Sequence, residues 1–370
     1  MDNQNWHKIE ETRAVISPTL LVFPDRILKN IQTMITIAGG AQNLRPHIKT
    51  HKMGEVVKMQ LQQGIDKFKC ATIAEAELLA QCGAVNVLLA MQPVGANMDR
   101  FFKLMEKYPS TYFSTLVDNL KVMNTLGEIA AAKDQKVRLW LDINNGMDRT
   151  GIRPGPEAVS LYEATNAHPY LKAEGLHVYD GHIRTSNLDE RTKTCDQAFE
   201  AVSKLRQELL DRGIIAPKIV AGGSPTFSIH AKRENVETSP GTTLLWDAGY
   251  GNLFPDLPFL PAAVLLTRVI SLPKETTLCL DLGHKSIAPE MAFPRVELLD
   301  MEDSKQIGQS EEHLVVEHNQ PGYHNVGDVH YAIPMHICPT VAKYENVLVV
   351  SSGKLVDTWQ VEARNQKITI

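Results

Sequence analysis

The chain has 370 residues, 43% of them apolar and 22% charged, with a formal net charge of −5. That length exceeds one ordinary core and suits two domains, and the composition is that of a globular protein. With a mildly acidic balance and no Lys/Arg run, nucleic acid and anionic membrane surfaces are poor partners, and no apolar stretch is long enough to span a bilayer.

Residues 1–13 are polar and acidic, without the apolar core of a secretory signal. Five cysteines are scattered and lack a Cys-x-x-Cys spacing, so a reducing, cytoplasmic setting is expected. Residues 12–23 are strand-like, and 1–24 is expected to pair with a later β domain. From about 25 to 255, β-like runs alternate with helical stretches. Strands are expected at 44–49, 67–71, 85–90, 112–117, 137–143, 173–179, 218–221 and 243–246. Helices are expected at 53–63, 73–82, 97–107, 118–133 and 196–212, the last ended by Gly213. This rhythm predicts parallel βαβ units, and eight such strands favour a closed (β/α)8 TIM-type barrel over an open doubly wound sheet. After a Pro-rich connector, residues 256–370 carry β-type runs at 262–271, 276–282, 313–317, 328–333 and 346–350, which predicts a C-terminal, mainly antiparallel β domain.

Arg45-Pro46-His47-Ile48-Lys49-Thr50-His51-Lys52 is the most informative segment. On a strand, Arg45, His47, Lys49 and His51 share a face, and the C-terminal strand ends of a βα barrel are where chemistry sits. A lysine buried among cations becomes neutral more readily, and its amine can then form an imine with an aldehyde. The plainer reading of the same residues is a solvated charged strand end. Further along, Gly222-Gly223-Ser224 follows a strand and Pro240-Gly241-Thr242 precedes the next, two loops able to offer backbone N–H groups to a phosphate. Tyr179 ends a strand and offers a planar ring, or is a tyrosine of the barrel mouth. Arg149 lies in a loop and suits a carboxylate, or a surface ion pair. His336 and Cys338 stand two apart, so an extended strand would turn both to one face. Imidazole with thiolate prefers zinc and leaves positions open for substrate, although a buried structural cysteine is the commoner outcome.

The segment 45–52 resembles the cofactor-lysine motif of the D-threonine aldolase and D-serine dehydratase group, within the alanine-racemase-like (fold type III) pyridoxal-phosphate enzymes. Residues 141–151, 175–182, 221–226, 240–242 and 334–340 resemble that group's later segments in the same order. The resemblance implies that Lys49 carries pyridoxal 5'-phosphate as a Schiff base, with Lys52 as an accessory lysine. It implies that Tyr179 flanks the ring and that Gly222, Gly223, Ser224, Gly241 and Thr242 hold the cofactor. Lys49, His182 and Arg149 would carry catalysis, and His336 with Cys338 would hold a divalent metal, zinc by its thiolate. The activity implied is a lyase acting on a small β-hydroxy D-amino acid, by aldol cleavage or dehydration. A homodimer is expected, because the metal pair lies far along the chain from Lys49 yet must meet the same substrate. Racemases of the superfamily place an arginine before the second phosphate loop, where Ser239 stands here, which turns the expectation away from racemisation. Racemisation and non-catalytic pyridoxal-phosphate binding remain the alternatives, the second opposed by the β domain. A metal-dependent barrel hydrolase would need several strand-end carboxylates and histidines, and no such set is found.

Overall fold

The computed structural model describes residues 5–215 and 217–370. The chain divides into two compact units. One comprises the chain up to Thr33, Thr50–Val56 and Thr242–Arg364; the other comprises Met34–Lys49, Val57–Gly241 and Asn365–Ile370.

Strand β1 (Thr19–Val22) and helix α1 (Pro24–Ile37) open the chain, followed by α2 (Gly54–Gln62). Then come β2 (Lys67–Cys70), α3 (Ile73–Gln81), β3 (Asn86–Leu89), α4 (Ala96–Lys107), β4 (Tyr112–Val117), α5 (Leu120–Ala132) and β5 (Val137–Ile143). The alternation continues through α6 (Pro156–Ala167), β6 (Leu171–Val178), α7 (Leu188–Asp211), β7 (Lys218–Ala221), α8 (Phe227–His230) and β8 (Val236–Thr238). Strands β2 to β8 pair in chain order and every pairing is parallel. Local signals explain several helix starts. Thr72 accepts from the Glu75 N–H while Glu75 accepts from the Ala71 N–H, a reciprocal cap on α3. Asn119 and Asn187 cap α5 and α7 in the same sense. The Asn187 cap starts α7 eight residues before the expected 196.

Residues 44–48 close this sheet into a barrel. Leu44 bridges Thr238 on β8 and His47 bridges Lys69 on β2, both parallel. The N–H of Arg45 donates to the Thr238 carbonyl at 2.8 Å, and the N–H of Ile48 to the Lys69 carbonyl at 3.0 Å. Pro46, which has no N–H, contributes only its carbonyl, accepting from Lys69 at 2.8 Å. The expected strand at 44–49 is therefore a short stave, and Lys49 lies in the turn beyond it. The expected strand at 243–246 is replaced by a 3-10 turn at Thr242–Leu244. Strand β8 takes its place in the barrel. It escaped the pattern because Glu237, in its centre, pairs with Arg45 at 2.8 Å and Lys67 at 2.6 Å, so a charge stands where an apolar residue was sought.

The other unit contains α9 (Ala248–Leu253), β9 (Ala263–Lys274), β10 (Thr277–Leu280), β11 (Val296–Leu298), β12 (Lys305–Gln309), β13 (Leu314–Glu317), β14 (Val329–Pro334), α10 (Ile337–Val341), β15 (Asn346–Ser351) and β16 (Lys354–Gln360). Its strands order as β12-β13-β10-β9-β1-β15-β16, with β14 on β9 and β11 on β14. Nearly all pairings are antiparallel; β1 is antiparallel to β9 and parallel to β15. Leu21, Val264, Leu266, Tyr331 and Ile333 form its core.

Candidate active site

In the barrel unit, three cations converge on one aromatic ring. The Lys49 amine lies 5.7 Å, the Lys69 amine 5.6 Å and the Arg149 guanidinium 4.8 Å from the Tyr179 ring centre. Tyr179 directly follows β6, and its ring packs against Gly181 and Gly223, where a Cβ would run into it. Arg149 is exposed on the loop after β5, and Lys49 is half-buried. His182 is exposed, its ring against Gly146 of that same loop, where a Cβ would lie 3.3 Å from Nε2.

The two glycine loops meet. Ser224 Oγ accepts from the Gly241 N–H at 3.2 Å, joining the loop after β7 to the loop after β8. Gly222 has φ +78°, and a Cβ there would lie 2.9 Å from the His230 ring, so only glycine fits without displacement. The Gly223 N–H donates to Thr226 Oγ1 at 3.3 Å. Beneath them, buried Asp180 accepts from Thr226 at 2.7 Å and from His230 Nε2 at 2.9 Å, while Arg233 Nε donates to His230 Nδ1. Cys195 Sγ sits 3.3 Å from His230 Nε2. Asp180, Cys195 and His230 form a possible metal-binding triad. Their polar atoms already satisfy one another, and burial, followed by the charge of Asp180, raises the Cys195 thiol to about 12. The cluster buttresses the glycine loop from beneath, through Thr226.

Deeper in the barrel, His177 Nδ1 and Asp142 Oδ1 are 2.7 Å apart, and Gln92 Nε2 donates to Asp142 Oδ2 at 2.9 Å. Burial lowers the His177 pKa, with Lys69 adding to the effect, so the ring is neutral and donates from Nδ1; its Nε2 is buried without a partner among the described residues. Burial opposes ionisation of Asp142, but His177, Thr150 and Gln92 together outweigh it and hold the carboxyl below its usual range. Ser239 Oγ donates to the Arg45 carbonyl at 2.8 Å.

The His336–Cys338 pair lies in the β unit. It does not sit on an extended strand: His336 stands at the N-cap position of α10 without a side-chain cap, and Cys338 is in that helix's first turn, so the pair lies at a strand-to-helix corner. The His336 and Cys338 side chains interact electrostatically, and the His336 Nδ1 is 2.5 Å from Glu290 Oε1. Thr50 Oγ1 and Thr242 Oγ1 lie 3.1 and 3.5 Å from Cys338 Sγ. Burial works against the charged forms, yet the contact with Cys338 raises His336 to about 9 and the contact with His336 lowers Cys338. An imidazole backed by a carboxylate, beside a thiol readily ionised, is a donor set that suits a divalent transition metal. Thr242, expected on the cofactor, turns its hydroxyl to this thiol.

A family description, "Alanine racemase, N-terminal domain", matches residues 22–248, more than half of the chain. The chain belongs to this alanine racemase N-terminal domain family. A second description, a serine dehydratase domain, matches residues 262–350. The D-threonine aldolase of Arthrobacter sp is 26% identical over 87% of this chain and 85% of its own length. The 3-hydroxy-D-aspartate aldolase of Paracoccus denitrificans (strain Pd 1222) is 26% identical over 95% and 92%. Among solved structures, D-threonine aldolase from Filomicrobium marinum superposes with TM-score 0.86 at 25% identity, covering 95% of each chain.

Within this member of the family, the expected one-sided row of cations breaks up. Arg45 is buried on Glu237, and burial drives His51 down to about 3, its Nδ1 accepting from the Met53 N–H. Lys52, expected as the accessory lysine, has φ +57° and its carbonyl accepts from Ala363 in the β unit. The lysine that shares the Tyr179 ring with Lys49 is Lys69, which the sequence reading missed. Its signal was there: Lys67-Phe68-Lys69 alternates on β2, and the two charges face the side that an ordinary strand fills with apolar groups. Glu290 and Thr50, far from His336 in sequence, had no signal at all.

Proposed function

We propose that this chain is a pyridoxal-phosphate- and metal-dependent lyase acting on a small β-hydroxy D-amino acid, with Lys49 carrying the cofactor. The observation that carries the reading is the cluster of Lys49 and Arg149 on the Tyr179 ring, in the same unit as two glycine loops joined through Ser224. Two relatives named as aldolases for β-hydroxy D-amino acids, each matched over most of both chains, support the substrate class.

The residues fit the cofactor. Gly222, Gly223, Ser224 and Gly241 would hold its phosphate, on loops packed so closely against His230 and Tyr179 that positions 222 and 223 leave no place for a Cβ. Tyr179 flanks the pyridine ring. Once bound, that ring supplies an electron sink for the bond broken at the substrate's α-carbon. Arg149, exposed and already stacked on Tyr179, receives the substrate carboxylate through its planar fork. The Lys49 amine, or exposed His182, moves the proton at the α-carbon. His336 and Cys338 hold the metal, zinc by donor softness, and Glu290 fixes the His336 ring. The chemistry a metal supplies there is a lowered pKa for the substrate's β-hydroxyl or stabilisation of departing hydroxide. Thr50 and Thr242 place their hydroxyls beside the Cys338 thiol. Racemisation is disfavoured because Ser239 donates to a backbone carbonyl and offers no cation. A cytoplasmic homodimer belongs to the same proposal.

The test is Lys49→Ala. Loaded wild-type protein should show visible cofactor absorbance and a borohydride-reducible link at Lys49, both lost in the variant with the fold intact. A reducible link surviving in the variant would move the site to another lysine. Products from D-threonine and D-serine then separate the reactions: glycine plus aldehyde marks an aldolase, and pyruvate plus ammonia a dehydratase. An L-enantiomer product would reinstate the racemase.

A further inference from the structure

Lys69 presents a problem that the fold alone does not answer. It is 2% exposed at the inner side of β2, and among the described residues it forms no ion pair. Two carboxylates lie close enough to influence it, Asp142 and Asp180. Both are committed elsewhere: the Asp142 oxygens to His177 and Gln92, the Asp180 oxygens to Thr226 and His230. Its other charged neighbours, Lys49 and Arg45, are cations. His177 adds only a neutral ring. Burial, then the charge of Lys49, lowers the amine to about 7. A buried amine without an anion is costly to keep, so an uncompensated cation in a cleft marks a place where an anion arrives. The Lys69 amine stands over the same Tyr179 ring, at nearly the same distance, as Lys49 and Arg149.

We propose that Lys69 is a ligand-binding cation of this site, whose ammonium pairs with an anionic oxygen of the bound ligand: either the ring oxygen of the cofactor or the carboxylate of the amino acid. The inference rests on the proposed cofactor site and adds a residue to it. Lys49 is consumed by its link to the cofactor, and Arg149 is solvent-exposed. Lys69 supplies the buried charge that neither can. The unloaded barrel holds the amine partly neutral, and arrival of the anion draws a proton onto it.

The experiment compares wild type with Lys69→Met and Lys69→Gln by titration calorimetry. One arm titrates pyridoxal phosphate into unloaded protein, and the other titrates glycine into loaded protein. Losing a charge-assisted contact should raise the dissociation constant about ten- to a hundredfold in one arm for both variants. Proton uptake in that arm, read from heats in buffers of different ionisation enthalpy, should fall with it. An effect in the first arm assigns the cofactor's oxygen, and one confined to the second assigns the substrate's carboxylate. Affinities within about twofold of wild type in both arms would overturn the proposal. So would variants that fail to fold, because they would show that the charge serves the barrel itself. Borohydride labelling of Lys49 in all three proteins separates the failures. If the wild type is unlabelled, the cofactor reading falls and takes this inference with it. If Lys49 is labelled throughout and both affinities hold, only the role of Lys69 falls.

Discussion

The unpaired amine of Lys69 makes stability depend on pH in a direction that can be worked out. Its pKa falls from 10.5 in the unfolded chain to about 7 in the folded one. Between those values the unfolded state binds the extra proton, so this group's contribution to stability rises with pH across the window. Below about 7 both states are protonated and the folded barrel bears the whole penalty. Lys69→Met is therefore expected to stabilise the unloaded protein by on the order of a few kcal/mol at pH 6, with the gain shrinking as pH approaches 10. Urea unfolding at pH 6, 8 and 10 checks the trend; a gain that does not change with pH would contradict it.

At the scale of elements, the barrel seam is held by an ion pair as well as by strand pairing. Arg45, 2% exposed on the closing stave, meets Glu237 of β8 at 2.8 Å and Asn86 of β3 at 2.7 Å, with its guanidinium 5.5 Å from the Trp140 ring. Burial opposes ionisation of Glu237, but Arg45 and Lys67 hold its carboxyl below the usual range. Its contribution is present above the unfolded value near 4.5 and is lost as pH falls through the folded one. Glu237→Gln leaves Arg45 buried without its anion and should cost about 3–5 kcal/mol, seen as a lower urea midpoint at pH 7 with an unchanged slope. The seam also marks where reading by periodicity stops. Strands at 112–117, 137–143 and 218–221 carry apolar runs and agree with β4, β5 and β7. Strand β8 carries the charge of Glu237 at its centre, so alternation did not identify it, whereas the strand expected at 44–49 supplies the closing stave.

For the whole molecule, metal dependence and assembly test how the parts act together. Chelation should remove activity while leaving visible cofactor absorbance, because Lys49 and the glycine loops make no use of the metal. Glu290→Gln should weaken metal binding by about 10–100-fold without touching that absorbance. Metal affinity should also fall as pH drops. His336 is raised to about 9 and both it and Cys338 must give up protons to bind, so protons compete more strongly at low pH. A chelated enzyme that keeps its rate would make the pair structural. Sedimentation velocity should show a dimer; a fully active monomer would remove that part of the proposal.

The order of motifs along the chain was enough for the barrel and the β domain after it, and it nominated Lys49, Tyr179, both glycine loops and the His336–Cys338 pair, because each depends on residue types at short spacing. Periodicity also revealed most strands, since a parallel strand buried on both faces must be apolar. Only the tertiary structure decided which residues from distant segments meet. It placed Lys69 beside Lys49 on the Tyr179 ring, Ser224 on the Gly241 amide, and Glu290 behind His336. Chain separation carries no information about such contacts. The charge of Lys69 and the corner at Cys338 acquire their chemistry from burial and from partners, and those exist only once the chain has folded.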